Sequence, residues 1–208
     1  MAEQLILHYF PPSPNNIKVA IGLSYKELPH EVRLIHREDR SGLVEISGQP
    51  LSPVLEDGGR AVFDSSAILR YLDANFDGPR LFAEDRDSLK EIEAWELHSK
   101  AVIGPPLGKA FGVLFSGGED DARVREAAAE MTEASAELEK RLEGRDWLVG
   151  DSMTAADIFN ACFLGFSCFP ENVAHSNKIW PWFYERFRLG EGRPRCREWV
   201  SRVFAHLP

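Results

Sequence analysis

The sequence predicts an α/β domain with a four-stranded mixed sheet, followed by an all-α domain. Segments typical of strands and helices alternate through the first 78 residues, whereas no segment after residue 88 has the pattern of a strand. Between these halves, Gly78 and Pro79 interrupt the helical pattern and an acidic stretch follows. We therefore predict a domain at residues 1–78, a linker at 79–87 and a helical domain at 88–208.

The first 36 residues have the pattern of a βαβ unit. Residues 5–10, LILHYF, form an apolar run that is too short for a helix and ends at two prolines, so we expect a buried strand. Ser13 followed by Pro14 predicts the start of a helix, because proline fits the first helical position. Residues 30–36 have the pattern of a second strand, and a helix between two strands predicts that they pair in parallel.

A hairpin and a capped helix complete the predicted sheet domain. The polar residues 37–47 predict a loop with a short irregular helix. Two further strands and the turn between them are predicted at residues 54–55, 61–63 and 57–59. Asp64 and Ser65 belong to the residue types that cap helices, and apolar residues at helical spacing follow them.

The second half of the chain predicts a helical bundle. We expect helices at residues 88–103, 107–115, 120–142, 154–169, 179–187 and 198–205. The first of these helices begins with the pattern of a capping box at Ser88 to Glu91. Thr154 and Asp157 form a second capping box, which we expect to be structural.

Composition and charge limit the classes of partner. The formal net charge is -9, and an acidic chain is a poor match for nucleic acid or for an anionic membrane surface. No apolar run approaches the roughly 18 residues of a membrane span, and we expect no signal peptide. Cys162, Cys168 and Cys196 have no metal-ligand spacing, so we predict reduced thiols in a cytoplasmic protein that holds no metal.

Four motifs, in this order along the chain, resemble those of cytosolic glutathione transferases. They are SPNNIKV at 13–19, SPVL at 52–55, DSSAIL at 64–69 and TAAD at 154–157. The resemblance covers the whole chain. It implies a thioredoxin-like domain that binds glutathione, a helical second domain and a homodimer.

The resemblance also implies roles for individual residues in holding and activating glutathione. Ser13 would donate a hydrogen bond to the thiolate, with Asn15 and Asn16 as further donors nearby, although Ser13 could instead only cap its helix. Hydrogen-bond donors and a helix N-terminus lower the pKa of a thiol from its free value of about 8.5. The remaining glutathione contacts implied by the family are the backbone of Ser52 beside a cis Pro53, the carboxylate of Asp64 for the ammonium group, and Ser65 for the γ-glutamyl carboxylate.

One common contact is missing from the pattern. Many relatives carry a basic residue two positions before the cis-proline, where this chain has Leu51. Gln49 would offer a neutral hydrogen bond instead, and Arg37 or Arg40 would supply the charge. The sequence does not decide between these two arginines.

The acceptor substrate is expected to be a hydrophobic electrophile bound between the domains. The predicted lining residues of this acceptor pocket are Tyr9, Phe10, Pro12, Trp95, His98 and Phe111. Two alternatives to conjugation remain open. The Ser-Pro-Asn sequence is similar to branches with Thr-Pro-Asn that reduce disulfides with glutathione, and some chains with this fold are non-catalytic scaffolds, which Leu51 slightly favours.

Overall fold

A computed structural model describes residues 4–117, 119–169 and 179–208 of the chain. Its internal contacts divide the chain into two units, one formed by Met1–Phe82 with His206–Pro208 and the other by Ala83–Ala205.

The first unit is built on a four-stranded mixed sheet, as the sequence predicts. Its strands are β1 (Leu5–Tyr9), β2 (His30–Leu34), β3 (Val54–Asp57) and β4 (Arg60–Phe63). Their order in the sheet is β2-β1-β3-β4. β1 pairs in parallel with β2, while the β1–β3 and β3–β4 pairs are antiparallel. Because β2 lies at an edge, two of its apolar side chains, Val32 and Leu34, are exposed rather than part of the core.

Three helices accompany this sheet: α1 (Pro14–Tyr25), α2 (Ser41–Ser47) and α3 (Ser65–Asn75). The α1 helix buries Ile17, Val19, Ile21 and Leu23 completely, which fixes the orientation of its first turn. Gly22 allows α1 and α3 to approach closely, since a Cβ atom at this position would lie 2.4 Å from Cδ2 of Leu69.

The segment after α3 is held to the first unit by a buried carboxylate. Asp73 accepts hydrogen bonds from the backbone N–H groups of Leu81 at 2.8 Å and Phe82 at 3.2 Å. It also pairs with the buried ammonium group of Lys26 at 3.4 Å. The contacts of the first unit therefore continue to Phe82, into the segment predicted as a linker.

All the secondary-structure elements in the described part of the second unit are helical. It contains α4 (Arg86–His98), a π-helical turn (Ser99–Ile103), α5 (Gly104–Phe115), α6 (Asp121–Ala134), α7 (Ala136–Arg141), α8 (Ala155–Leu164), a 3₁₀ turn (Gly165–Ser167), α9 (Trp180–Arg186) and α10 (Pro194–Phe204). None of the helices in the described ranges combines the length and apolar character that a membrane span requires.

Three details of the predicted helices are wrong. The cap of α4 is Asp85, whose carboxylate accepts from the N–H of Ser88 at 2.8 Å, so the helix begins before the predicted capping box. The predicted long helix at 120–142 is divided at Ser135 into α6 and α7. The last helix begins at Pro194 rather than near residue 198, because proline fits its first turn.

The predicted capping box at the start of α8 is present. Asp157 is fully buried and accepts from the N–H of Thr154 at 2.9 Å, the N–H of Leu148 at 2.9 Å and Nε1 of Trp199 at 2.9 Å. Burial raises the pKa of this carboxyl group, while these hydrogen bonds oppose the rise. Asp157 therefore joins α8 to the preceding loop and to α10.

Candidate functional site

Ser13 lies in the loop between β1 and α1, directly before the helix. Its backbone is in the N-cap position, with φ -66° and ψ 125°, and its N–H donates to the carbonyl oxygen of Phe10 at 3.0 Å. Its hydroxyl group makes no capping hydrogen bond. The side chain is half-buried, so the hydroxyl is held at a helix N-terminus and stays available to a ligand.

Asn16 connects this loop to the loop before β3. The side chain is fully buried, its Oδ1 accepts from the N–H of Phe10 at 2.9 Å, and its Nδ2 donates to Oγ of Ser52 at 3.2 Å. Both ends of the Asn16 amide are thus engaged with the protein, and its role is to position the two loops. The sequence grouped Asn16 with the donors to the thiolate; a polar amide at the start of a buried stripe was the signal for this other role.

The amide of Asn15, unlike that of Asn16, is hydrogen-bonded at only one end within the described residues. It is exposed, and its Oδ1 accepts from the ammonium group of the buried Lys18 at 3.0 Å. Because the carbonyl end of the amide faces Lys18, the NH₂ end is left as a donor two residues after Ser13.

The Ser52–Pro53 peptide bond is cis, and Pro53 is buried at the start of β3. The hydroxyl of Ser52 accepts from Asn16, whereas its backbone N–H and C=O have no hydrogen-bond partner within the described ranges. A free backbone N–H and C=O on one residue suit the pairing of an extended peptide.

Asp64 caps α3, as the sequence predicts. Its carboxylate accepts from the N–H groups of Ser66 at 2.9 Å and Ala67 at 3.1 Å through a single oxygen, Oδ1. Its φ of 69° is rare outside glycine and stores strain of the kind that gathers at binding sites. The N–H and hydroxyl of the largely buried Ser65 make no hydrogen bond in the described part of the chain, so this helix N-terminus can accept an anion.

Two further residues are among those predicted to contact the glutathione carboxylates. Gln49 uses its amide within its own loop, donating to Oγ of Ser47 at 2.9 Å and accepting from the N–H of Leu51 at 2.6 Å. Arg40 lies over the ring of Phe10, with its guanidinium carbon 4.8 Å from the ring centre. The structure therefore brings Arg40 to the loop that precedes Ser13.

The predicted acceptor residues fall into separate groups. In the first unit, Tyr9 and Phe10 are half-buried and Pro12 is buried, all within five residues of Ser13. In the second unit, Trp95 and His98 border a cavity of about 660 Å³. Phe111 is not among the residues lining that cavity and packs instead in an aromatic cluster, 4.8 Å from Phe183 and 5.3 Å from Phe166 between ring centres. The acceptor pocket remains a prediction.

Within the described ranges, no group of three or more His, Cys, Asp or Glu side chains is arranged to hold a metal ion.

Comparisons with known proteins agree on one family. A sequence model described as glutathione S-transferase, N-terminal domain, matches residues 7–80, and one described as glutathione S-transferase, C-terminal domain, matches residues 98–206. A glutathione S-transferase of Hyoscyamus muticus is 28% identical over 218 residues, covering 96% of this chain and 92% of the relative. A probable glutathione S-transferase of Nicotiana tabacum is 27% identical over 161 residues, covering 76% of this chain and 68% of the relative.

Among solved structures, a glutathione S-transferase from Rhodospirillum rubrum F11 has a TM-score of 0.77 at 22% identity, covering 98% of this chain and 90% of that one. This likeness concerns the fold, a sheet domain followed by a helical domain.

Proposed function

The chain belongs to the glutathione S-transferase family of enzymes, as the sequence predicts, and we propose that Ser13 activates glutathione for attack on a hydrophobic electrophile. The observation that carries this proposal is the state of the Ser13 hydroxyl, which stands at the N-terminus of α1 without a capping hydrogen bond. A serine that only capped its helix would use that hydroxyl on the backbone.

The chemistry required of Ser13 is to stabilise a thiolate. A free thiol with a pKa of about 8.5 is only a few per cent ionised at neutral pH. A hydrogen bond from the Ser13 hydroxyl and the N-terminal dipole of α1 both favour the charged form and so lower the pKa. The amide of Asn15, whose NH₂ end is turned away from Lys18, is the second donor.

We place the peptide of glutathione along the loop before β3 and the N-terminus of α3. Ser52, beside the cis Pro53, pairs its backbone with the cysteinyl residue. The N–H and hydroxyl of Ser65 hold the γ-glutamyl carboxylate, and the oxygen of Asp64 that does not cap α3 binds the ammonium group.

The glycyl carboxylate is assigned to Arg40 rather than Arg37, because Arg40 stacks on Phe10 in the loop before Ser13. Gln49 adds a neutral hydrogen bond only if its bonds to Ser47 and Leu51 open. Tyr9, Phe10 and Pro12 supply apolar surface for the electrophile.

The experiment compares glutathione binding by calorimetry and turnover with chlorodinitrobenzene for the wild type, Ser13→Ala and Ser65→Ala. We expect Ser65→Ala to weaken binding, and Ser13→Ala to retain binding but lose most turnover near neutral pH. Ser201→Ala, at an exposed position on α10, is the matched control. Absence of wild-type binding at about millimolar glutathione would contradict the enzyme proposal and favour a non-catalytic binding protein.

Disulfide reduction is the second candidate, and the Asn15 amide beside Ser13 favours it, because that donor can stabilise a thiolate leaving a mixed disulfide. Turnover of a glutathione mixed disulfide by the same variants distinguishes the two activities. The predicted homodimer is tested by sedimentation, where a particle of 23.4 kDa at micromolar concentration would contradict it. The cytoplasmic location remains a prediction.

A further inference from the structure

A charged cavity of about 660 Å³ lies within the second unit, between α4 and α7. From α4 it is bordered by Glu91, Trp95 and His98, and from α7 by Glu137 and Lys140. Arg145, in the loop after α7, completes this side. Nothing in the proposed glutathione chemistry uses this set of groups.

A hydrogen bond to Asn160 fixes the tautomer of His98. The Nδ2 of Asn160 donates to two backbone carbonyl oxygens, those of Trp95 and Ala156, at 2.9 Å each. The other end of the amide, Oδ1, lies 3.1 Å from Nδ1 of His98. Since a carbonyl oxygen only accepts, Nδ1 of His98 must carry the proton, and in the neutral imidazole Nε2 is an acceptor.

Two acceptors therefore face each other at the wall of the cavity. Among the described residues Nε2 of His98 has no hydrogen-bond partner, and a carboxylate oxygen, Oε2 of Glu137, lies 3.5 Å away. The side chain of His98 is 10% exposed, while that of Glu137 is 69% exposed and can move. An amine or ammonium group has enough hydrogens to donate to both, and it would remove the cost of an unsatisfied buried nitrogen.

Within the described residues, two of the basic side chains that border the same cavity have no acidic partner. Of the acids that border it, Glu91 pairs with Arg141 at 2.6 Å and Glu143 pairs with Arg195 at 3.5 Å. Lys140 and Arg145 make no side-chain ion pair or hydrogen bond with the described residues, although both border the cavity. Two cations that border one cavity and are unpaired within the described residues can together bind a carboxylate.

The indole of Trp95 borders the same cavity, next to His98. It is 8% exposed and stands edge-on to the ring of His98, at 5.0 Å between ring centres. Because Glu137 and Lys140 are one turn apart on α7, the amine-binding and carboxylate-binding groups adjoin. With an aromatic ring beside them, they fit a ligand whose amine and carboxylate share one carbon and whose side chain carries a ring.

We propose that this cavity binds an aromatic amino acid, with its amine at His98 and Glu137, its carboxylate at Lys140 and Arg145, and its ring against Trp95. All the residues of this site belong to the second unit, and none of them is proposed above to hold glutathione. The site also gives Trp95 and His98 a role other than the acceptor pocket.

The test uses three ligands that differ by one group: L-phenylalanine, hydrocinnamate, which lacks the amine, and phenethylamine, which lacks the carboxylate. Calorimetry near neutral pH should show L-phenylalanine binding, with each analogue weaker by about fivefold or more. Lys140→Gln and Arg145→Gln should weaken L-phenylalanine and hydrocinnamate but leave phenethylamine unchanged. Glu137→Gln should do the reverse, weakening the two amines alone.

All three substituted side chains lie at the surface of the unit, and Lys90→Gln, on α4 outside the cavity, is the matched control. No binding of L-phenylalanine at about 10 mM, or equal binding of the three ligands, would overturn the proposal. So would loss of L-phenylalanine binding in Ser65→Ala, since this would place the ligand at the glutathione site. If Lys140→Gln instead raises the KM for chlorodinitrobenzene, the cavity belongs to the acceptor and the proposal is again wrong.

Discussion

Asn16 and Ser52, which are 36 positions apart in the sequence, are joined by a hydrogen bond of 3.2 Å from the buried amide to the serine hydroxyl. The bond places the loop that carries Ser13 beside the loop that carries the cis Pro53. The relative position of the two proposed contacts to glutathione, at the thiol and at the cysteinyl backbone, thus depends on this side chain as well as on the pairing of β1 with β3.

Replacing Asn16 by leucine should impair both binding and turnover. Leucine has a similar volume, but it leaves the N–H of Phe10 and the hydroxyl of Ser52 without their partner, at a cost of about 1–3 kcal/mol in unfolding free energy. We expect a higher dissociation constant for glutathione and a lower kcat. Asn16→Asp, which keeps the acceptor for Phe10 but loses the donor to Ser52, should fall between leucine and wild type.

Denaturant titration and calorimetry measure these effects, and the exposed Asn75→Leu serves as the control. Normal glutathione affinity in Asn16→Leu would show that the two loops are held by other contacts.

Arg40→Gln should weaken glutathione binding by about fivefold to tenfold, because an exposed charge pair contributes about 1 kcal/mol. Arg37→Gln is the paired comparison, since it removes the same charge from the same polar segment. Calorimetry at low and high salt should show the difference between wild type and Arg40→Gln shrinking as salt rises. If Arg37→Gln produces the loss instead, the assignment to Arg40 is wrong.

Asp157→Ala should destabilise the helical unit by about 3–5 kcal/mol, because it removes a buried carboxylate on which several donors converge. The N–H of Leu148 and Nε1 of Trp199 would lose a common partner. Chemical denaturation followed by tryptophan fluorescence measures the change. Asp146→Ala, which removes a largely exposed carboxylate from the same region, should have a small effect, and equal losses in the two variants would contradict this role.

The cap of α4 should show a defined pH dependence. Hydrogen bonds from Ser88 hold the pKa of Asp85 below its ordinary value of 3.8. A depressed pKa means that the cap stabilises the fold above the ordinary value and that this contribution is lost as the pH falls through the lower one. The difference in unfolding free energy between wild type and Asp85→Asn should therefore be constant near neutral pH and decrease below about pH 4. A difference that grows on acidification would rule out this cap.

The thiols of the helical unit should be inert in the native protein. Burial raises the pKa of Cys168 to about 12, and burial with the neighbouring Glu139 also raises the pKa of Cys196. Because the thiolate is the reactive form, labelling by a thiol reagent at mildly alkaline pH should be slow and should accelerate as the pH rises. Unfolding in guanidinium should release all three cysteines. Rapid labelling of Cys196 in the native state would contradict its buried geometry, while Cys168 is only partly buried.

The sequence was most informative where a structural signal is contained within a few neighbouring residues. The cap at Asp64 and the capping box at Thr154 and Asp157 are of this kind, because donor and acceptor are at most three positions apart. The α4 cap was assigned to Ser88 since Asp85 and Ser88 are both capping residue types at adjacent turns, and only the folded chain shows which one accepts.

The sequence pattern does not show which residues far apart in the chain contact each other. Nothing near Asn16 in the sequence indicates that its amide meets Ser52, and nothing near Arg40 indicates that it stacks on Phe10. Phe111 was predicted on a separate helix from Trp95 and His98, and the sequence did not show the π-helical turn that sets the position of that helix.

This turn at Ser99–Ile103 sets the angular relation between α4 and α5. The N–H of Gly104 donates to the carbonyl oxygen of Ser99, five residues earlier, so the turn contains one residue more than an α-helix would. Deleting a single residue there would restore regular spacing and rotate every α5 side chain by about 100° about the helix axis. Phe111 would leave its aromatic cluster and Lys109 would turn away from Glu130, so the length of this segment is as strongly constrained as its composition.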